Sequence, residues 1–267
     1  MTVTISTSAA AVTFGTGGFV LHSFDPGAPA LTAGVAARRT VSLSAYILAE
    51  GETESERAVF LDAARRRVCR IAADSDGFTL TADGRSIRLA ADAAPAFDAK
   101  PPFNGADAAF FTLSAHSLSG GAYFAGEERA VSARGRTGKF VFPLAVTEAT
   151  VFAVLAASGE LRVRNPGDAP AGFVADVTAE GGKLTSFTLS AGERALRCSH
   201  VLSDGETLTI DTRAASKDVR AGGVSVLADV DWTSDFFSLA PGESTLRWES
   251  GGGGRAAVRL RFTPVYL

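Results

Sequence analysis

The chain has 267 residues, 46% hydrophobic and 21% charged, which is too apolar for a disordered polymer and long enough for one large or two ordinary domains. Its 26 basic and 29 acidic residues nearly cancel, and they do so in each half: 10 against 12 over residues 1–124, and 16 against 17 over residues 125–267. That balance argues against a protein that grips nucleic acid by neutralising phosphates. The first basic residue is Arg38, which argues against the charged start of a signal peptide, and no apolar run approaches the roughly 18 residues of a spanning helix. The expectation is a chain made and folded in the cytoplasm, without membrane insertion.

In chain order, Thr40 to Ile47 gives the clearest alternation of the first half. Val41, Leu43, Ala45 and Ile47 fall on one face and Thr40, Ser42, Ser44 and Tyr46 on the other, the pattern of a half-buried strand. Thr53-Glu54-Ser55-Glu56 then reads as a capping box, followed by Leu61, Ala64, Val68 and Ile71 at helical spacing. An acidic first turn and the cluster Arg65, Arg66, Arg67 and Arg70 near the end suit the helix dipole, so a single amphipathic helix is predicted over about 53–71. The arginines read either as a solvated helix end or as a surface for an anion or a partner. Phe78 to Leu80 and Ile87 to Leu89 flank Asp83-Gly84, a tight hairpin turn. Ala94 to Gly105, with Pro95, Pro101 and Pro102, reads as a loop, and Phe110 to Ala115 as a strand.

The polar stretch Gly126 to Gly138 is the best candidate for a connection between domains, which places them at 1–124 and 125–267. Beyond it, apolar-alternating segments occur near 140–146, 150–155, 161–164, 173–177, 184–189, 208–210, 224–227, 246–248 and 258–262, with a glycine turn at Gly251 to Gly254. So many short strands in so little chain predict a two-sheet sandwich of the jelly-roll kind. The fold class expected is mainly β, with two β-sandwich domains, the first carrying the helix.

No catalytic constellation is legible. His22 and His200 read as strand or strand-end residues and His116 as a loop residue, none in a recognised motif. Cys69 and Cys198 read as separate reduced core thiols. Gly15-Thr16-Gly17-Gly18 lacks the lysine and the following helix of a phosphate loop. No spacing suggests zinc, and Asp229, Asp231 and Asp235 match no complete calcium loop although a loop-held calcium is conceivable there. No cofactor, metal or catalytic residue is therefore assigned. Trp232, with Phe236 and Phe237, either forms an exposed platform for a sugar ring, or the two phenylalanines anchor the Asp235 to Leu239 corner in the core.

Several turn signatures occur together in order. They are Asn165-Pro166-Gly167-Asp168, the run Asp204-Gly205-Glu206-Thr207-Leu208-Thr209-Ile210-Asp211-Thr212, the Gly222-Gly223 turn, Asp235-Phe236-Phe237-Ser238-Leu239-Ala240-Pro241-Gly242-Glu243, and a closing strand from Val258 to Tyr266. With the capped helix and the Asp83-Gly84 hairpin before them, they resemble the distal tail proteins of long-tailed, non-contractile bacteriophages. Ala122-Tyr123-Phe124 stands where that family often has Pro-Tyr-Phe, so the proline is missing here.

The resemblance implies a structural, non-enzymatic subunit of the virion tail tip or baseplate, of phage or prophage origin. Its first domain would close head to tail into a ring, hexameric in the family, with a central channel for DNA. Its second would be a galactose-binding-like sandwich projecting outward. Implied partners are further copies of itself, the tail tube protein, the tail-tip protein and receptor-binding proteins, with no specific nucleic-acid binding. The competing reading is a carbohydrate-binding β-sandwich module without catalytic activity, in which Trp232 would contact the sugar.

Overall fold

The computed structural model describes residues 1–32, 35–98, 107–118, 121–134, 136–138, 153–155 and 157–267. The chain divides into two compact units, Met1–Glu127 with Tyr266–Leu267, and Glu128–Val265. Both are built of antiparallel strands, with one α-helix among the described residues, in the first unit.

In the first unit the neighbouring strands, in spatial order, are Ala11–Thr13, Val3–Ser6, Phe78–Ala82, Arg85–Ala91, Ala108–Ser117, Val35–Leu48 and Phe19–Asp25. The alternation read in Thr40 to Ile47 sets the register at the centre. Val41, Leu43, Ala45 and Ile47 lie opposite Ala115, Leu113, Phe111 and Ala109, and all eight are at most 3% exposed. A slip of one residue would turn every one of these side chains to the wrong face. The helix Glu54–Ala72 packs on this core through Leu61, Ala64, Val68 and Ile71, the four positions expected from its spacing. Fully burying each larger member removes about 1.5–3 kcal/mol of apolar exposure.

The helix starts where it does because the capping box forms. Thr53 Oγ1 accepts from Glu56 N at 3.2 Å, and Glu56 Oε2 accepts from Thr53 N at 3.0 Å and Glu52 N at 2.9 Å. Those amides hold the Glu56 carboxyl below its ordinary value. The hairpin turn is likewise local chemistry: Asp83 and Gly84 adopt φ of 47° and 77°, the two left-handed positions that an Asp-Gly pair takes with least strain.

Three expectations are corrected here. Ala96–Asp98 is a strand paired with Phe110–Thr112 inside the segment read as a loop; Ala94 and Pro95 are outside any strand, and 99–105 lies outside the described residues. His116 belongs to the strand Ala108–Ser117, because the register with Thr40 carries the ladder past Ala115. Arg129–Arg134, read as part of a connection, is an edge strand of the second unit paired with Arg255–Phe262. Ser132 and Arg134 face out while Val131 and Ala133 pack against the core, as a strand on the rim of a sheet allows.

The second unit has two main sheets. One runs Arg129–Arg134, Arg255–Phe262, Phe173–Glu180, Thr207–Asp211, Asp218–Ala221, Val224–Ser225, and the other Ser158–Asn165, Gly242–Gly252, Leu184–Ala191, Arg194–Cys198. Their inner faces share one core, with Ala175, Val177 and Leu260 from the first sheet and Val163, Leu189 and Trp248 from the second. Gly159 lies opposite Trp248, where a Cβ would sit 2.3 Å from the indole ring. Of the strands expected here, 140–146 lies outside the described residues, and 150–155 is described only over Ala153–Leu155, which pairs with Arg136–Gly138. Arg194–Cys198 and Asp218–Ala221 are additional strands. The mainly β class, with its helix in the first half, is as read from the sequence.

One buried group in the first unit works against stability. Arg39 is 1% exposed, and its guanidinium nitrogens have no hydrogen-bond partner; the group lies over the Phe124 ring at 4.9 Å. Burial pushes its pKa down, against a smaller upward pull from Tyr123. Replacing a buried charge by a flexible apolar side chain of similar length removes that desolvation cost. Arg39→Met is expected to raise the thermal unfolding temperature of the first unit, by about 2–4 °C for each kcal/mol recovered. A lower unfolding temperature in calorimetry would mean that Phe124 compensates the charge in full.

Candidate functional site

The turn signatures of the second unit come together as backbone joints. Asn165, 1% exposed, ends the strand Ser158–Asn165. Its Nδ2 donates to the carbonyls of Ala169 and Leu239, both at 3.0 Å, and its Oδ1 accepts from Gly167 N at 2.9 Å. One amide side chain thus ties the Asn165-to-Asp168 turn to the Asp235-to-Glu243 corner, 74 residues away in sequence. Gly167 is required because a Cβ there would sit 2.5 Å from the Val265 carbonyl oxygen, which accepts Asp168 N. Leu239 and Ala171 exchange both backbone hydrogen bonds, and Phe237, 2% exposed, packs its ring 5.4 Å from that of Phe173.

The Asp204-to-Thr212 run is built the same way. Glu206 Oε2 accepts Ser203 N at 2.7 Å across a turn in which Gly205 has φ of 82°. At the other end the buried Thr212 hydroxyl accepts Phe173 N at 2.9 Å and donates to Phe173 O at 3.1 Å. Asp211 receives Arg213 Nη2 at 2.6 Å, Arg213 N at 3.0 Å and Ser216 Oγ at 2.8 Å. Burial raises the Asp211 pKa, but these donors outweigh it and hold the carboxyl below its ordinary value.

Trp232 is 93% exposed, while Phe237 is buried and Phe236 half-buried against the core, so the aromatic trio separates into one surface ring and two anchors. The turn that carries Trp232 is firmly held. Asp231 Oδ1 accepts Thr233 N at 2.8 Å and Thr233 Oγ1 at 2.6 Å, bonds that lower the Asp231 pKa, and Ser234 N donates to Asp231 O. Asp231 N and Asp235 N donate to the carbonyls of Arg197 and Ala195, so the loop lines the free edge of Arg194–Cys198.

The remaining polar groups serve local contacts. Asp229, Asp231 and Asp235 are directed to three different partners: His200 Nδ1 at 2.6 Å, Thr233, and Arg194 at 3.6 Å. Among the described residues no group of three or more His, Cys, Asp or Glu is placed to hold a metal ion. His22 stands edge-on to the rings of Tyr46 and Phe110, and His116 Nδ1 lies 2.7 Å from Asp92 Oδ1. Both cysteines are free, and burial pushes the Cys198 thiol up, away from the thiolate a nucleophile needs.

Among the described residues, two concavities lie apart from these joints. On the outer face of the larger sheet of the second unit, a depression of about 780 Å³ is lined by Ser132, Arg134, Asp176, Thr178, Glu180 and Arg259, among others, with no aromatic ring in its lining. Three of its charges are paired: Arg134 with Glu180 at 2.9 Å, and Asp176 at 3.0 Å with Arg261, which is not in the lining. In the first unit, a cleft of about 390 Å³ lies between Ala9–Ala11 and the helix residues Ala63, Arg67 and Arg70. The arginine cluster was visible in sequence; the cleft was not, because its other wall comes from the first strands of the chain.

Residues 166–266 match the family described as siphovirus-type tail component, C-terminal domain. Among solved structures, the fold is that of the crystal structure of SPP1 Dit (gp 19.1), described as a paradigm of hub adsorption apparatus in Gram-positive infecting phages. The TM-score is 0.62 at 11% identity, over 99% of this chain and 99% of that one. No curated protein matches the chain. Residues 166–266 thus place the second unit in the class of phage tail components, and the chain as a whole has the fold of that hub protein. The matched stretch holds most of the signatures that carried the resemblance to the distal tail proteins, and these are the joints described above. Among the described residues no helix is long and apolar enough to cross a membrane.

Asn165→Ala strips three hydrogen bonds from buried backbone groups, and an unsatisfied buried group costs about 1–3 kcal/mol. The variant is expected to lower the unfolding temperature of the second unit well below that of a surface control such as Arg162→Ala. Because the Asp211 pKa is lowered in the fold, its stabilisation is present above the ordinary value of 3.8 and is lost as pH falls through the lowered value. Asp211→Asn should therefore flatten part of the acid limb of the stability–pH curve measured by calorimetry.

Proposed function

We propose that six copies of this chain close into a ring in the tail tip, joining the tail tube protein on one side to the tail-tip protein on the other, around a channel for DNA. The observation that carries this reading is the likeness in fold to a phage hub protein along 99% of both chains. Residues 1–124 are assigned to ring formation, and residues 125–267, as a galactose-binding-like sandwich, to contacts with receptor-binding proteins. The near balance of 26 basic and 29 acidic residues suits a passage through which DNA slides, since a strongly basic wall would retain it. The role is positional and needs no catalytic residue, cofactor or metal.

A second reading is favoured by one observation, the 93% exposure of Trp232 on a firmly held turn. A rigid exposed indole presents a face on which a sugar ring can stack, so the second unit would also act as a carbohydrate-binding module. Light scattering of the full chain, alone and with the neighbouring tail proteins, should give a particle six times the 27.5 kDa chain mass. A chain that stays monomeric in both conditions and shows saturable sugar binding abolished by Trp232→Ala would replace the ring reading by the second one.

A further inference from the structure

The two ends of the first-unit helix carry opposite unspent charge. At its start the residues Glu50, Glu52 and Glu54 are exposed, and none has an ion-pair partner among the described residues. Glu56 is not available, since its carboxylate is occupied by the amides of Glu52 and Thr53. The same two bonds fix the turn that presents the other three. Gly51, with φ of 143°, completes it, and a Cβ there would lie 2.7 Å from Glu56 Cβ.

Toward its end the helix offers a cleft. Arg66 is paired with Asp62 at 2.6 Å, and Arg65 lies over the Phe97 ring at 5.8 Å. Arg67 and Arg70 have no such partner among the described residues. With Ala63, their spacings of four and three residues put them on one face of the helix. That face meets the small side chains of Ala9, Ala10 and Ala11, which leave a recess of about 390 Å³ with two guanidinium groups along one wall. A recess of that kind takes a projecting carboxylate.

We infer that the acidic turn Glu50–Glu54 of one copy docks into the Arg67/Arg70 cleft of the next, head to tail, and that this contact forms part of the subunit interface. The occupant follows from charge and geometry. Arg67 and Arg70 follow Glu54 by 13 and 16 helical residues, about 20 and 24 Å along the axis, so the turn and the two arginines of one chain lie too far apart to meet each other. Each chain is left with a convex acidic end and a concave basic end, a heterologous pair of surfaces, and such a pair closes into a ring when its rotation divides a full turn. Opposite charge on facing patches also sets register and raises the association rate. The inference rests on the ring reading above and supplies the partner and contact of its first unit.

The test uses full-length chains in two reversal variants, Arg67→Glu/Arg70→Glu and Glu50→Arg/Glu52→Arg, each checked for an unchanged unfolding temperature. Each alone is expected to associate about 10–100-fold more weakly than the unchanged chain in analytical ultracentrifugation, because like charges now face each other. Mixed one to one, the two variants alternate, so opposite charges meet at every junction and a six-chain ring closes again, with an assembly that weakens as salt is raised. Reversal variants that keep the full assembly constant overturn this contact and leave the ring reading standing. A mixture that stops at two chains overturns the head-to-tail geometry in favour of a two-fold pair. An unchanged chain and a mixture that both remain monomeric, with the neighbouring tail proteins present, overturn the contact and the ring together.

Discussion

Two sheets packed face to face can satisfy their own ladders but not the corners where the chain leaves one sheet for the other. A buried amide or carbonyl at such a corner must find a partner or cost stability. In the second unit that constraint is met by Asn165, whose one side chain accepts from Gly167 and donates to Ala169 and Leu239. Neither aspartate nor leucine could replace it, the first lacking donors at neutral pH and the second lacking both functions. Thr212 does the same for both backbone groups of Phe173. Strands tolerate any apolar residue of suitable size, whereas such corners accept few chemistries.

What was legible in the sequence was what local chemistry decides. The capping box places the helix start, the helical spacing names its four core residues, and Asp83-Gly84 places a hairpin, because each depends on residues within a few positions. The corner motifs were legible as a family pattern, but not as joints, since the partner of Asn165 is Leu239, far along the chain. Arg194–Cys198 and Asp218–Ala221 escaped because short strands rich in arginine and alanine carry weak alternation; pairing with Leu184–Ala191 and Thr207–Asp211 makes them strands. His116 was misplaced for the same reason, its serine-rich surroundings resembling a loop until the long partner strand Val35–Leu48 fixes the register. Trp232 was recognised as a surface or core alternative, and only the fold could divide it from Phe236 and Phe237.

Three of the 29 carboxylates show how acidic groups are used in this fold. Asp211, Asp218 and Asp231 are each bound by nearby hydroxyl, amide or guanidinium donors and each is held below the ordinary aspartate value. A general acid needs the opposite environment, in which burial or a neighbouring negative charge keeps the proton on. Asp229 and Asp92 each face a histidine, but in those pairs the ring contact is with the carboxylate itself. Asp211, Asp218 and Asp231 serve to close turns and strand ends through local bonds.

The helix of the first unit carries more charge than its own stability uses. Acidic residues at a helix start and basic ones near its end are expected from the dipole alone, and that effect is confined to the first and last turns. Glu54 and Arg70 fall within that range. Glu50 and Glu52 precede the helix, and Arg67 lies nearly a turn further in, where the dipole gives little reason for a charge. Arg67 also faces a recess walled by alanines, although a longer side chain at 9, 10 or 11 would fill the gap and cover the helix. Charge in excess of what the dipole uses, set beside space that the core does not use, is the combination that intramolecular stability leaves unexplained.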